Sequence, residues 1–246
     1  MFSDLKKEYS QKGFFTIKNV LKDFEINELN NEIEITNNVD KYFDKKGQIR
    51  RIERIFDKGE NLYNLNLKIL ELLKKVFEES FTIFKDKFNA KPPDGEGFFA
   101  HYDGIFEFKD SNLIKRKGWY EYTDIFVNVL IALDTCTKEN GTIEISNIHK
   151  NSFENLLLNT KQDGTPDLLE AIEKSLIFET IELAAGDIVI FSNQCPHRSK
   201  KNYSSSSRRT LYYTYTLEKF GSFYEKYFFD KKNSKNNNSK SLSGEI

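Results

Sequence analysis

Apolar positions change their period along this chain. Residues 2–12 carry apolar positions at helical spacing, and Gly13 stops that pattern. "FFTIKNV" then reads as a strand, and "LKDFEINELNNEIEITNN" returns to a helical period. "GQIRRIERIF" alternates polar and apolar. "NLNLKILELLKKVFEES" predicts the clearest amphipathic helix, with Leu65, Ile69, Leu72, Leu73 and Phe77 on one stripe. "FTIFKDKFNAK" alternates again until Pro92 and Pro93. After residue 97 short strand-like runs dominate: "GFFAHYD", "DIFVNVLIALD", "GTIEIS", "LIFETIEL", "GDIVIFSN" and "RTLYYTYTLE". Gly, Asn, Asp and Ser separate them, a spacing that favours an antiparallel sandwich or barrel over βαβ units. One helical interruption is predicted near 152–175. The polar tail 230–246 has little to bury and is expected to be disordered.

Composition refines this picture only slightly. The chain has 246 residues, 38% hydrophobic and 30% charged, enough for a buried core in one domain over residues 1–229. Its 22 Phe and 12 Tyr suggest a core built on rings. The net charge of −1 gives no general attraction to nucleic acid or anionic membranes. Cys136 and Cys195 form no zinc or disulfide spacing, and "MFSDLKKEYS" lacks the apolar run of a signal peptide. A cytoplasmic protein with a small-molecule partner is the expectation.

The candidate chemistry rests on two of the chain's three histidines and a nearby carboxylate. In "GFFAHYDGIFEF", His101 and Asp103 stand at i and i+2, which a strand places on one face. His197 ends the run "GDIVIFSNQCPH", and Arg208 opens the next strand. Two histidines and a carboxylate on a β scaffold match the facial triad of non-haem iron(II) oxygenases, which leaves positions open for a bidentate co-substrate and dioxygen. A buried arginine suits the far carboxylate of such a co-substrate, because its planar fork binds two oxygens at once. Arg208 and Arg209 lie on opposite faces of their strand, so only one of them enters the barrel.

These segments, taken in order, resemble the iron(II)- and 2-oxoglutarate-dependent oxygenases, in particular the phytanoyl-CoA dioxygenase-like branch. The resemblance runs over residues 5 to 217. It is carried by "EYSQKGFFTIKNVLKDFEINELNNEIE", "HYDG", "NVLIALDTCTKENGTIEISNIHK" and "GDIVIFSNQCPHRSKKNYSSSSRR". It implies a double-stranded β-helix, also called a jelly roll, with a core over about 81–217 and N-terminal helices outside. It implies His101, Asp103 and His197 as ligands of Fe(2+), Arg208 and Ser199 as 2-oxoglutarate contacts, and O2 as co-substrate. Ser146 and Asn147 stand where the family usually has proline and glycine, so the turn at the site's mouth differs.

Other residues receive plainer expectations. His149 is read as structural or mouth-lining, and Cys195 as a buried inert thiol on the face of His197. The aromatic loop 105–124 offers Trp119, Tyr120 and Tyr122 as substrate contacts, while Lys115, Arg116 and Lys117 fit a solvated loop. Rival readings are a halogenase, which the presence of Asp103 disfavours, and a non-catalytic ligand-binding jelly roll.

Overall fold

The computed structural model describes residues 2–110 and 112–235. In chain order its elements are α1 (Phe2–Lys12), β1 (Phe14–Ile17), α2 (Asp23–Ile35), β2 (Asp40–Phe43), β3 (Ile49–Glu53), α3 (Glu60–Phe77), β4 (Phe81–Lys91), β5 (Phe98–His101), β6 (Phe108–Lys109), β7 (Lys115–Arg116), β8 (Val127–Ala132), β9 (Ile143–Ile145), α4 (Phe153–Leu157), α5 (Glu170–Ser175), β10 (Glu179–Thr180), β11 (Ile188–Ser192), β12 (His197–Ser199), β13 (Arg208–Leu217) and α6 (Tyr224–Lys235). Single 3-10 turns occupy Gly118–Glu121 and Glu218–Phe220.

The helices form where the periodicity predicts and dock through local chemistry. The N–H of Gly13 closes the end of α1 by donating to Tyr9 O at 2.8 Å. Glu32 of α2 accepts from the N–H groups of Asn61 and Leu62 at 3.2 and 2.8 Å, setting a carboxylate at the positive end of α3. The buried stripe of α3 is Leu62, Leu65, Ile69, Leu73 and Val76, with Leu72 and Phe77 only half covered. The predicted stripe is therefore right in period and rotated slightly, because α1 covers one flank.

Strands pair into a seven-stranded sheet, β1-β11-β8-β13-β4-β3-β2, and a four-stranded sheet, β10-β9-β12-β5. Neighbouring strands are antiparallel throughout both. On its outer face the large sheet presents Ile52, Phe88, Leu211, Tyr213 and Tyr215 to α2 and α3, forming the main apolar core. Between the sheets, one end is filled by Leu130, Val189 and Phe191 against Ile143 and Ile145. The other end stays open as a cavity. Two facing antiparallel sheets with helices outside are the expected double-stranded β-helix. Three N-terminal strands, β1, β2 and β3, extend the large sheet, so the sheet reaches beyond the expected core of 81–217.

Strand β4 contains a bulge. Thr214 of β13 pairs with Lys85, while Tyr215 pairs with Ile83, leaving Phe84 as the extra residue. Upstream, Phe81 and Ile83 face the outer core. Downstream, Phe88 faces that core, and Lys85, Lys87 and Asn89 line the cavity. Residues 230–235, expected to be tail, belong to α6, while 236–246 lie outside the described residues. Composition hid this helix because its apolar side chains, Tyr224 and Phe228, find their partners only in the folded core.

Candidate active site

Two strand ends and a turn build the centre of the cavity. His101 is the last residue of β5, His197 is the first of β12, and the two are cross-strand partners. Their rings lie 4.2 Å apart, centroid to centroid. Asp103 sits in the turn after β5, its N–H donating to Asn193 O at 3.2 Å. The strand expected to carry both residues stops at His101, yet the turn still brings Asp103 alongside. One ligand atom from each of the three residues falls within 4.8 Å of the others, the sole such cluster among the described residues.

Neighbouring groups set tautomer and charge for this cluster. Nδ1 of His101 lies 2.7 Å from Phe99 O, and Nδ1 of His197 lies 3.0 Å from Cys195 O. A carbonyl only accepts, so each Nδ1 carries the hydrogen and each Nε2 presents a lone pair. Burial, then the adjacent His101, pushes His197 down to about 3, so its imidazole is neutral at ordinary pH. Burial alone would raise Asp103, but His197 and Lys85 outweigh it and hold the carboxyl below its usual range. The 3.6 Å approach of His197 Nε2 to Asp103 Oδ2 is thus a neutral ring beside a carboxylate. A neutral imidazole at His197 and an ionised carboxylate at Asp103 are the states a divalent metal requires. Asn128 Nδ2 donates to Asp103 Oδ2 at 2.9 Å, and Thr214 Oγ1 donates to Asn128 Oδ1 at 2.7 Å, which fixes the carboxylate's orientation. Gly104, at φ +75°, completes the turn; a Cβ there would lie 2.3 Å from the Trp119 ring.

A second polar centre lies along β13. Arg208 is 2% exposed, and its Nε and Nη1 have no hydrogen-bond partner among the described residues. Two unsatisfied nitrogens on a buried guanidinium are costly unless an anion meets them, and a carboxylate fits the fork. Arg209 turns outward and grips Asp134, with Nη2 to Oδ1 at 2.8 Å and Nε to Oδ2 at 2.9 Å. Lys91, the cross-strand partner of Arg208, donates to Ser199 Oγ at 2.8 Å and to Lys200 O at 2.6 Å. Burial, then Arg208, pushes Lys91 down to about 6. Ser199 lines the cavity with its hydroxyl oxygen already accepting from Lys91, so its own hydrogen remains to donate.

The histidine cluster and Ser199 line one cavity of about 320 Å³, and Arg208 lies on the face of β13 that carries the lining residue Tyr212. Trp119 and Tyr122 line the cavity, as do Phe106 and Phe108 from the same loop. Tyr120 does not. Its ring packs on Phe153, and its hydroxyl accepts from Gln194 Nε2 at 3.1 Å, because the 3-10 turn rotates it away from its neighbours. Lys115, Arg116 and Lys117 are engaged by Glu107, Asp110 and Glu154 respectively. His149 lies against Tyr102, 2.5 Å from its hydroxyl, away from the cluster. Cys195 is buried in the apolar end, its thiol donating to Gly13 O at 3.3 Å and pushed up to about 12 by burial.

Sequence reasoning missed several wall residues. Asn128 was detectable as a polar interruption in the apolar run "FVNVLIAL", and the lysines of β4 as polar beats of an alternating strand. Tyr227, Asp230 and Lys231 of α6 were not. Asp230 accepts from Tyr122 Oη at 2.7 Å, and Lys231 bonds Glu53 Oε1 at 2.6 Å, so α6 closes one side of the cavity.

The family model described as phytanoyl-CoA dioxygenase matches residues 9–210. A methylphosphonate hydroxylase of Gimesia maris is 30% identical over 168 residues, covering 68% of this chain and 57% of the relative. A 2-aminoethylphosphonate dioxygenase of an uncultured bacterium is 27% identical over 184 residues, covering 74% and 64%. The chain thus spans less than two thirds of either relative. Among solved structures, the non-haem α-ketoglutarate-dependent carbocyclase SnoK of nogalamycin biosynthesis superposes with a TM-score of 0.66 at 15% identity, over 86% of this chain and 82% of that one. EctD of S. alaskensis gives 0.67 at 14% identity, over 88% and 77%. At such identities these likenesses show the shared fold.

Proposed function

This chain belongs to the phytanoyl-CoA dioxygenase family, and on that premise we propose that it is a non-haem iron(II)- and 2-oxoglutarate-dependent dioxygenase that hydroxylates a small molecule. The observation that carries the reading is the cluster of His101, Asp103 and His197 together with a buried arginine on the cavity face of β13 whose Nε and Nη1 are unsatisfied. His101, Asp103 and His197 would hold the metal, the two imidazoles through Nε2. When bound, iron(II) and 2-oxoglutarate supply dioxygen activation: oxidative decarboxylation to succinate and CO2 takes up one oxygen atom, and the other enters the substrate. Arg208 holds the distal carboxylate of 2-oxoglutarate, and Ser199 donates its hydroxyl hydrogen to it. Asn128 and Thr214 keep Asp103 in its ligating orientation. Phe106, Phe108, Trp119 and Tyr122 exclude water from the site, which limits oxidation of the protein itself. The reading takes the described chain through α6, to residue 235, as one oxygenase unit, six residues beyond the expected end at 229. The carboxylate of Asp103 occupies the position a halide would need, which disfavours halogenation.

Anaerobic titration of the metal-free protein with iron(II), then 2-oxoglutarate, tests this. The expected result is one iron per chain and a metal-to-ligand absorption band that saturates with 2-oxoglutarate. Coupled succinate release then identifies substrates. Absence of the band in protein that binds one iron would overturn the co-substrate assignment.

A further inference from the structure

Beyond the bulge, β4 presents a row of polar side chains to the space between the sheets: Lys85, Lys87, Asn89 and Lys91. Lys91 is engaged by Ser199 and two carbonyl oxygens. Lys85 and Lys87 line the cavity with neither a hydrogen bond nor an ion pair among the described residues. Their ammonium groups rest on rings instead. Lys85 Nζ lies 4.1 Å from the centroid of Trp119, and Lys87 Nζ lies 4.8 Å from that of Tyr212. A ring face offsets only part of an ammonium's lost hydration. Burial, then Lys87, pushes Lys85 down to about 7, and burial, then Arg51, pushes Lys87 down to about 8. The carboxylates that face the pair are already engaged. Asp103 belongs to the histidine cluster and accepts from Asn128, and Glu53 is bound by Lys231.

Register separates this pair from the arginine. Along β13 the partners run Arg208 with Lys91, Thr210 with Asn89, Tyr212 with Lys87 and Thr214 with Lys85. Six residues of strand rise by about 20 Å, so Lys85 stands at the far end of the row from Arg208, on the side of the cluster that carries Asp103. We propose that Lys85 and Lys87 anchor the anionic group of the primary substrate, and that this group is a phosphoryl-type dianion, a phosphonate or a phosphate monoester. Two amines without hydrogen-bond partners match one tetrahedral dianion, whose three oxygens reach both and whose charge favours their protonated forms. A carboxylate or sulfonate would leave one positive charge unbalanced in the cavity. The inference rests on the oxygenase reading, because that reading assigns Arg208 to 2-oxoglutarate.

Trp119 is the chain's single tryptophan, so its fluorescence reports on Lys85. The experiment titrates methylphosphonate and methyl phosphate into the anaerobic protein carrying iron(II) and 2-oxoglutarate, with methanesulfonate and acetate as monoanion probes. The expected result is saturable quenching or enhancement by a dianion, at least roughly tenfold tighter than by either monoanion, with Lys85→Met and Lys87→Met weakening it by roughly tenfold or more. The 2-oxoglutarate absorption titration, which also reports that the variants fold, stays within about threefold of the parent. Tighter methylphosphonate identifies a phosphonate, and tighter methyl phosphate an ester; either supports the site. The proposal is overturned if both variants bind dianions as the parent does, if they weaken 2-oxoglutarate instead, or if monoanions bind equally well. Failure of the iron and 2-oxoglutarate band in the parent would sink the oxygenase reading alone, since dianion binding to the metal-free protein still tests the lysines.

Discussion

The two faces of the large sheet are made by the same strands, residue by residue in alternation, and they have opposite chemistry. On the helix-packed face of β13, Leu211, Tyr213 and Tyr215 are fully covered among apolar neighbours. On the cavity face, Arg208, Thr210, Tyr212 and Thr214 stand level with Lys91, Asn89, Lys87 and Lys85. The first face gains free energy from burial. The second buries cations and leaves Arg208 Nε and Nη1 without partners, which weakens the fold locally unless ligands satisfy them. Stability and binding are thus separated by a single residue step along a strand.

The sharpest way to break that comparison is to remove a cavity-side metal ligand. His197→Ala is expected to reduce coupled succinate release to background and to abolish stoichiometric iron binding, while the thermal midpoint of the metal-free protein changes little. Turnover near the parent rate would remove His197 from the ligand set. The reverse experiment truncates the other face. Leu211→Ala should cost about 2–5 kcal/mol in denaturant unfolding, because it leaves a cavity in the main core. The folded fraction should keep its parent Michaelis constants, and a changed 2-oxoglutarate constant would show that the faces are coupled.

Adjacent arginines sharpen the comparison further. Arg208→Ala should raise the apparent 2-oxoglutarate constant by roughly ten- to a hundredfold, given about 1.5–3 kcal/mol for a charge-assisted contact. Arg209→Ala should shift it by less than about fivefold, since partly exposed ion pairs contribute about 0–1 kcal/mol. A larger effect at Arg209 would reverse the assigned faces of β13. The smallest effect concerns α6. Burial alone would raise Glu53, but Lys231 and then Arg51 outweigh it and hold the carboxyl at about 2, against an ordinary 4.5. A depressed carboxyl stabilises the fold above its unfolded value, and that contribution is lost as pH falls from about 4.5 toward 2. Lys231→Met should therefore lower stability by about 1–2 kcal/mol at neutral pH and flatten the acid limb of the thermal midpoint. Parallel profiles for parent and variant would refute that role.

Much of this architecture was legible in the sequence, for reasons of period. His101 and Asp103 could be paired because two-residue spacing keeps side chains together; alternation told that only one of Arg208 and Arg209 enters the barrel, and the family resemblance pointed to Arg208. The jelly roll followed from short strands punctuated by turn residues, together with the family resemblance. What stayed hidden depends on rotations and partners that local pattern does not encode. Tyr120 departs from Trp119 and Tyr122 because a 3-10 turn, not a strand, carries them. Helix α6 looked like the start of a polar tail because its cavity contacts, Tyr122 with Asp230 and Glu53 with Lys231, join residues more than 100 positions apart. The bulge at Phe84 leaves no trace in an alternating run of letters.

That bulge acts as a phase shift in the strand. Odd-numbered residues before it, Phe81 and Ile83, answer to the helices; odd-numbered residues after it, from Lys85 onward, answer to the ligand. Deleting Phe84 would leave every other side chain on its present face, because Ile83 and Lys85 would then follow one another in plain alternation opposite Tyr215 and Thr214. What would be lost is the ring of Phe84, fully buried against Trp119 and Phe126. The position therefore constrains residue identity more tightly than chain length, and Phe84→Ala should loosen the wall around Trp119 while leaving the register of β4 intact.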